Sequence, residues 1–287
     1  MPSNSPTIID CHHHVGTLEA HGMNFAADAD PLDVLTLDLD LRVSVMDRQG
    51  VDQAIIIPGH GYLRPNGIAD TRLVNNSIAA FRDLSPLRFP AAVGIAEPLH
   101  GGAGIDELHR MSDELGLVGL SVHARFQGVQ TDSPHVVALV RKAAELGLVP
   151  FIHAMDGIPD ESIWRVQQVA REVPETTIIV LDALNGVEQA RHATLLAVDT
   201  PNLVFDTSFA YHYMFVAAML DVVGPERVVF GTDYYSMMPD PQPSVVLDYF
   251  ASHEVPIEIR AAVLGGNLQR ILALGPDENP ATGSLGE

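Results

Sequence analysis

The fold class predicted for this chain is α/β, a single-domain (β/α)8 TIM barrel spanning residues 1–287, and three observations predict it. Short apolar, β-branched runs alternate with helix-period stretches from end to end, which implies parallel strands joined by crossover helices. Eight of each can be counted, the number that closes a barrel. No glycine-rich dinucleotide or phosphate-loop fingerprint follows any strand, which leaves an open doubly wound sheet, the alternative, without its usual signature.

Taken in order, strands are predicted over residues 7–10, 54–58, 91–95, 117–122, 149–152, 177–181, 203–206 and 227–230. Each is apolar and ends in a Gly-, His-, Asp- or Pro-bearing loop. Helices are predicted over 41–50, 71–84, 104–115, 134–147, 160–173, 186–198, 215–223 and 256–272. Three of them stop at Gly50, Gly116 and Gly147, where the left-handed conformation turns the chain toward the next strand. The long stretch 17–40 is expected to cap the mouth as a loop, and 275–287 to be a flexible tail.

Composition narrows the function. Hydrophobic content of 47% with 18% charged residues describes a packed globular protein. The net charge of −21 argues against nucleic acid or an anionic membrane as partner and leaves a small-molecule substrate, with a homodimer allowed. The single cysteine, Cys11, excludes an internal disulfide. With no apolar run of membrane length and no leader-like start, it supports a cytoplasmic expectation.

Strand alternation then sorts the polar residues. In "TIIDCHHHVG", His12 and His14 are two apart and share a face at the end of the first strand. By the same alternation Cys11 and His13 face the strand–helix layer. His153 ends the fifth strand in "VPFIHAMDG" and Asp233 the eighth in "VVFGTDYY". Catalytic groups of barrels gather at the strands' C-terminal ends, so these four form a candidate ligand set for one divalent ion. Three imidazoles and one carboxylate suit Zn²⁺ first, with Mn²⁺ or Fe²⁺ as alternatives. Such an ion lowers the pKa of water toward neutrality, and Asp233 could take the proton.

With these motifs in place the chain resembles the amidohydrolase superfamily, specifically the amidohydrolase-related branch that includes aminocarboxymuconate-semialdehyde decarboxylase and resorcylate-type decarboxylases. "IIDCHHHVG" resembles the Asp-x-His-x-His of strand 1, "LGLVPFIHA" strand 5, "NLVFDTSFAY" strand 7, "RVVFGTDYYSMMP" strand 8 and "LGGNLQRIL" the C-terminal helix start. The resemblance implies a metal-dependent-hydrolase type of barrel. Binuclear relatives bridge two ions through a strand-end lysine, whereas the only lysine, Lys142, falls within a helix. A single metal is therefore expected.

One departure matters. Relatives usually carry a catalytic His-x-Gly on strand 6, where "IIVLDALNG" aligned on Gly186 places Ala183, with Asp182 before it expected to point away from the barrel axis. Substitutes are sought on neighbouring loops. His123 and His212 are the preferred catalytic pair beside Asp233, and His60, Arg64, Arg125 and Tyr211 are candidates for binding substrate, the two arginines through a substrate carboxylate. Tyr62, Phe126, Phe209, Tyr213, Tyr234, Met237 and Met238 add apolar lining to the expected mouth.

Three functions follow. The first is a metal-dependent hydrolase acting on an amide, lactone or ester bond, with Asp233 as base. The second is a non-oxidative decarboxylase or other lyase on the same site, such as a hydratase. The third is a catalytically silent ligand-binding barrel, which the missing strand-6 histidine favours and the four retained ligands disfavour. The fold alone does not separate them.

Overall fold

A computed structural model describes residues 6–19, 23–26, 28–235, 244–252 and 255–274. The strands are β1 (Ile9–Val15), β2 (Gln53–Pro58), β3 (Ala91–Ile95), β4 (Gly119–Val122), β5 (Val149–His153), β6 (Ile178–Leu181), β7 (Leu203–Asp206) and β8 (Val228–Val229). They form one parallel sheet in sequence order. Cys11 N–H donates to Phe230 O (2.9 Å) and His14 N–H to Tyr234 O (2.9 Å), which join the last strand to the first. The result is a (β/α)8 barrel, as the alternation predicts.

The surrounding helices are α1 (Pro31–Gln49), α2 (Ile68–Leu84), α3 (Gly102–Asp113), the single turn α4 (Ala124–Gln127), α5 (Pro134–Glu145), α6 (Ile163–Glu172), α7 (Val187–Val198), α8 (Tyr213–Val223), α9 (Val245–Ser252), α10 (Ile257–Ala261) and α11 (Asn267–Leu272). No described helix is long and apolar enough to cross a membrane. The expected stop at Gly50 holds, with φ 71° and its N–H returned to Met46 and Asp47. Several boundaries differ from expectation. Helix α1 begins ten residues early, because Asp30 caps it through Leu32 N–H (2.9 Å) and Pro31 opens it. The Leu-Asp alternation of residues 35–40 hides that helix behind a period of two. Strand β1 runs on through the histidines to Val15, and β8 shrinks to two residues. The tail 275–287, Met237 and Met238 lie outside the described residues.

Two apolar layers result. Ile9, Ile55, Ile57, Val93, Phe151, Ile179, Leu181 and Val229 fill the barrel interior, with Leu268 and Leu272 of α11 closing its lower end. A larger cluster packs between strands and helices. The α11 plug depends on Gly265, where a Cβ would lie 2.5 Å from Thr7 O and 3.1 Å from Ile9 Cγ1.

Cys11 departs from the expected alternation. Asp10 pairs with Ala54 but His13 with Ile56, so β1 carries one more residue than β2 over that span. This β-bulge re-aims the side chains it contains. Cys11 consequently joins the interior cluster beside Ile9 instead of the strand–helix layer, while His13 stays outside, against Asp10, Phe89 and Tyr234.

Candidate metal centre

The bulge leaves His12 and His14 aimed into the mouth, where His153 meets them from β5. Each ring is held by its Nδ1. His12 Nδ1–H donates to Asp206 Oδ2 (2.9 Å), His14 Nδ1–H to Pro58 O (3.3 Å) and His153 Nδ1–H to Val122 O (2.9 Å). Acceptors on Nδ1 fix the tautomer and leave each Nε2 a lone pair, the arrangement typical of metal-ligating histidines.

Those lone pairs converge. The Nε2 atoms of His12 and His14 are 3.0 Å apart, and Asp233 Oδ1 lies 3.1 Å from each. Among the described residues His153 Nε2 is fully buried with no hydrogen-bond partner, and one ring nitrogen from each histidine falls within 4.8 Å of the others. Three acceptor atoms at contact distance repel one another unless a metal cation or a proton sits among them. The residues present therefore fit a metal ion. Electrostatics agrees: burial disfavours charge on His12, yet Asp233, Asp182 and Asp206 outweigh it and raise that imidazole to about 10. Burial lowers His14 and holds His153 well below its ordinary value. The cluster calls for one positive charge at its centre.

Asp10 sets Asp233 in place. Facing outward, it accepts His12 N–H (3.0 Å), His13 Nδ1–H (3.0 Å), Thr232 N–H (3.0 Å) and Thr232 Oγ1–H (2.5 Å). The chain then turns through Asp233 at φ 53°, a left-handed conformation that costs a non-glycine residue about 1 kcal/mol or more. At Gly231 a Cβ would stand 2.8 Å from Asp206 Oδ2 and 3.1 Å from His12 Cβ, so only glycine lets β8 close on the ligand pair.

Strand 6 reverses the expectation. Asp182 adopts φ 62°, and this turn swings its carboxylate into the site while Ala183 goes to the outer apolar layer. Asp182 Oδ1 accepts from Ser208 Oγ–H (2.7 Å) and stands 3.6 Å from His12 Nδ1. Its N–H donates to Asp206 Oδ1 (3.0 Å) and Ser208 Oγ (3.1 Å). Burial, then the charge of Asp233, push Asp182 well above the usual carboxylate range.

On the opposite wall His123 stacks on His153 with ring centres 4.0 Å apart and planes at 10°. His60 approaches both rings at 5.4 and 5.6 Å, and its Nε2 bonds Ser121 Oγ (2.9 Å). His123 Nδ1–H donates to Glu161 Oε1 (2.5 Å). Burial lowers His123 and raises Glu161 to about 6. Arg125, one-third exposed, lies 4.7 Å from the Phe126 ring and 3.6 Å from Glu161 Oε2.

The remaining candidates sit elsewhere. Arg64 gives Nε to Glu97 Oε1 (2.7 Å), Nη1 to Tyr62 O (2.8 Å) and Nη2 to His60 O (3.2 Å), so it braces the loop after β2 together with Tyr62. His212 is exposed and caps α8, its Nδ1 accepting Met214 N–H (3.2 Å). Tyr211 is 59% exposed and packs on Phe215, and Phe209 is also exposed. Tyr213 stacks on Tyr249, and Tyr234 turns outward to His13 and Arg42. The ring over His14 is instead Tyr235, at 4.3 Å and 19°. Sequence reasoning missed Tyr235, Asp206 and Glu161. Asp206 carried a readable signal, since it ends β7 as Asp233 and His153 end their runs; Glu161 carried none.

The amidohydrolase family model matches residues 9–274, and the chain belongs to this family of enzymes. No curated protein sequence matches it significantly. Among solved structures it is similar to 5-carboxyvanillate decarboxylase LigW from Sphingomonas paucimobilis, with TM-score 0.71 and 18% identity over 94% of this chain and 100% of that one. A 5-carboxyvanillate decarboxylase from Novosphingobium aromaticivorans, complexed with manganese and 4-hydroxy-3-methoxy-5-nitrobenzoic acid, gives 0.70 and 15% over 94% and 96%. The 4-oxalomesaconate hydratase LigJ from Rhodopseudomonas palustris gives 0.70 and 17% over 93% and 95%. At these identities the likeness speaks for the fold.

Proposed function

We propose that this protein is a metal-dependent lyase, most simply a non-oxidative decarboxylase of a small, planar, hydroxylated carboxylic acid, working as one barrel domain in the cytoplasm. The observation that carries the reading is the pairing of a cation-seeking ligand set with Arg125 and aromatic rings on the same mouth. Held by His12, His14, His153 and Asp233, a divalent ion would supply Lewis acidity at the substrate's oxygens; zinc and manganese both suit the donors. Arg125 offers its remaining guanidinium edge for a carboxylate, its Nε facing Glu161 Oε2 at 3.6 Å, whereas Arg64 is occupied by Glu97, Tyr62 and His60. Tyr235 and Phe126 flank a planar ring and exclude water. When the carbon–carbon bond breaks and CO2 leaves, the electron pair on carbon takes a solvent-derived proton relayed by Asp233, while His123 Nε2 accepts the hydrogen bond of the substrate hydroxyl.

The decarboxylases and the hydratase among the structural neighbours support lyase chemistry over hydrolysis, which the sequence placed first. The semialdehyde-decarboxylase-like branch, read from His12 and His14, belongs to the same proposal. Manganese- or zinc-loaded protein incubated in deuterium oxide with hydroxybenzoic and unsaturated dicarboxylic acids should release CO2 and place deuterium on the vacated carbon. Asp233→Asn should cut that rate by about 10²–10⁴-fold. Turnover of lactones or esters with no CO2 from any acid would return the site to hydrolysis.

A further inference from the structure

Glu161 takes no part in the ligand set, yet its carboxylate is completely buried. It sits on the short turn Pro159–Glu161 after β5, which is pinned by Thr131 N–H to Asp160 O (3.0 Å) and Met155 N–H to Glu161 O (3.0 Å). Oε1 accepts two hydrogen bonds, from His123 Nδ1–H (2.5 Å) and Arg125 N–H (2.9 Å). Among the described residues Oε2 accepts no hydrogen bond and faces Arg125 Nε at 3.6 Å. A buried carboxylate with one oxygen left without a hydrogen bond is a costly way to fill an apolar gap, so what it does for its partners is the informative question.

A carboxylate can only accept, which obliges the facing imidazole to carry its proton on Nδ1. In a neutral ring Nε2 is then a bare lone pair, and His123 Nε2 has no partner among the described residues. The ring plane is fixed as well, by the stack on His153 and by the Phe126 edge at 4.6 Å and 85°. Its backbone is tied through His123 N–H to Gln127 Oε1 (3.0 Å), with Gln127 Nε2–H on Ala96 O (3.1 Å).

We infer that Glu161 is the positioning residue for His123, holding the tautomer that presents Nε2 to the substrate hydroxyl. This rests on the mouth being a catalytic site with His123 facing substrate. Its test starts from a quantity that exists without turnover. Long-range ¹⁵N–¹H spectra of histidine-labelled, zinc-loaded protein should show His123 protonated at Nδ1 alone. Glu161→Gln, whose amide oxygen still accepts, should keep that pattern and stay within a few-fold of the wild-type kcat. Glu161→Leu should move the proton to Nε2 and lower kcat at least about tenfold with KM little changed. In a His123→Ala background the leucine should cost nothing further.

A proton on Nε2 in the unmutated protein would overturn the inference, even if Glu161→Leu failed to fold. So would an unchanged tautomer in Glu161→Leu, or a loss that adds in full to that of His123→Ala. If the acid panel gives no CO2, the spectra still decide what Glu161 does, and only the choice of reaction falls.

Discussion

The mouth ends of β1 and β6 both break the alternation of a regular strand, with opposite effects on what the sequence discloses. In β1 a bulge adds a residue, so Cys11 turns inward while His12 and His14 keep the face that their spacing predicts. In β6 one residue, Asp182, takes φ 62° and exchanges the two sides, so the carboxylate enters and Ala183 leaves. An inserted residue shifts the count, whereas a left-handed residue redirects the chain. Side-chain direction at a barrel mouth therefore has to be read from backbone conformation as well as from parity.

The comparison can be broken most forcefully through the ring that both strands share. If Asp206 and Asp182 act on the metal through His12 Nδ1, Asp206→Asn should weaken zinc binding by about 10–100-fold, measured by competition with a chelating dye. An affinity within two-fold of wild type would remove Asp206 of β7 from any part in holding the metal. The next effect concerns Ala183, which is fully buried in the outer layer. Ala183→His overpacks that layer and should cost about 1–3 kcal/mol in denaturant unfolding, with zinc affinity unchanged. A gain in activity with no loss of stability would mean that residue 183 faces the mouth after all. The smallest effect is at the bulge. Burial, joined by Asp206 and Asp10, raises the Cys11 thiol well above its ordinary range. A thiol reagent should therefore leave the folded protein unlabelled and react fully in denaturant, while prompt labelling would return Cys11 to an accessible position.

Much of this was legible because it depends on local patterning. Alternating apolar runs and helical periods specify eight βα units, and the polar residues ending β1, β5 and the β8 loop specify four groups that the barrel brings together. What escaped depends on side chains that meet across distant loops. Arg64 reads as a free cation until Glu97, 33 residues on, takes its Nε. His212 reads as a mouth residue until α8 begins one residue later and makes it a cap. Glu161 lies 38 residues from His123 on a turn of no distinctive composition. Helix α1 was masked by its own leucines and aspartates, whose period of two mimics a strand; among them Asp38 and Arg42 are buried as a pair (2.9 Å).

The Asp10–Thr232 contact spans 222 residues and joins the first strand to the loop after the last. A nascent chain that has made seven strands holds His12, His14 and His153 but lacks both Asp233 and Thr232, through which Asp10 aims it. The ligand set is thus completed by the same event that seals the sheet. An ion can reward closure but cannot template the early stages of folding, and its binding rate during refolding would serve as a clock for the moment the ends of the chain meet.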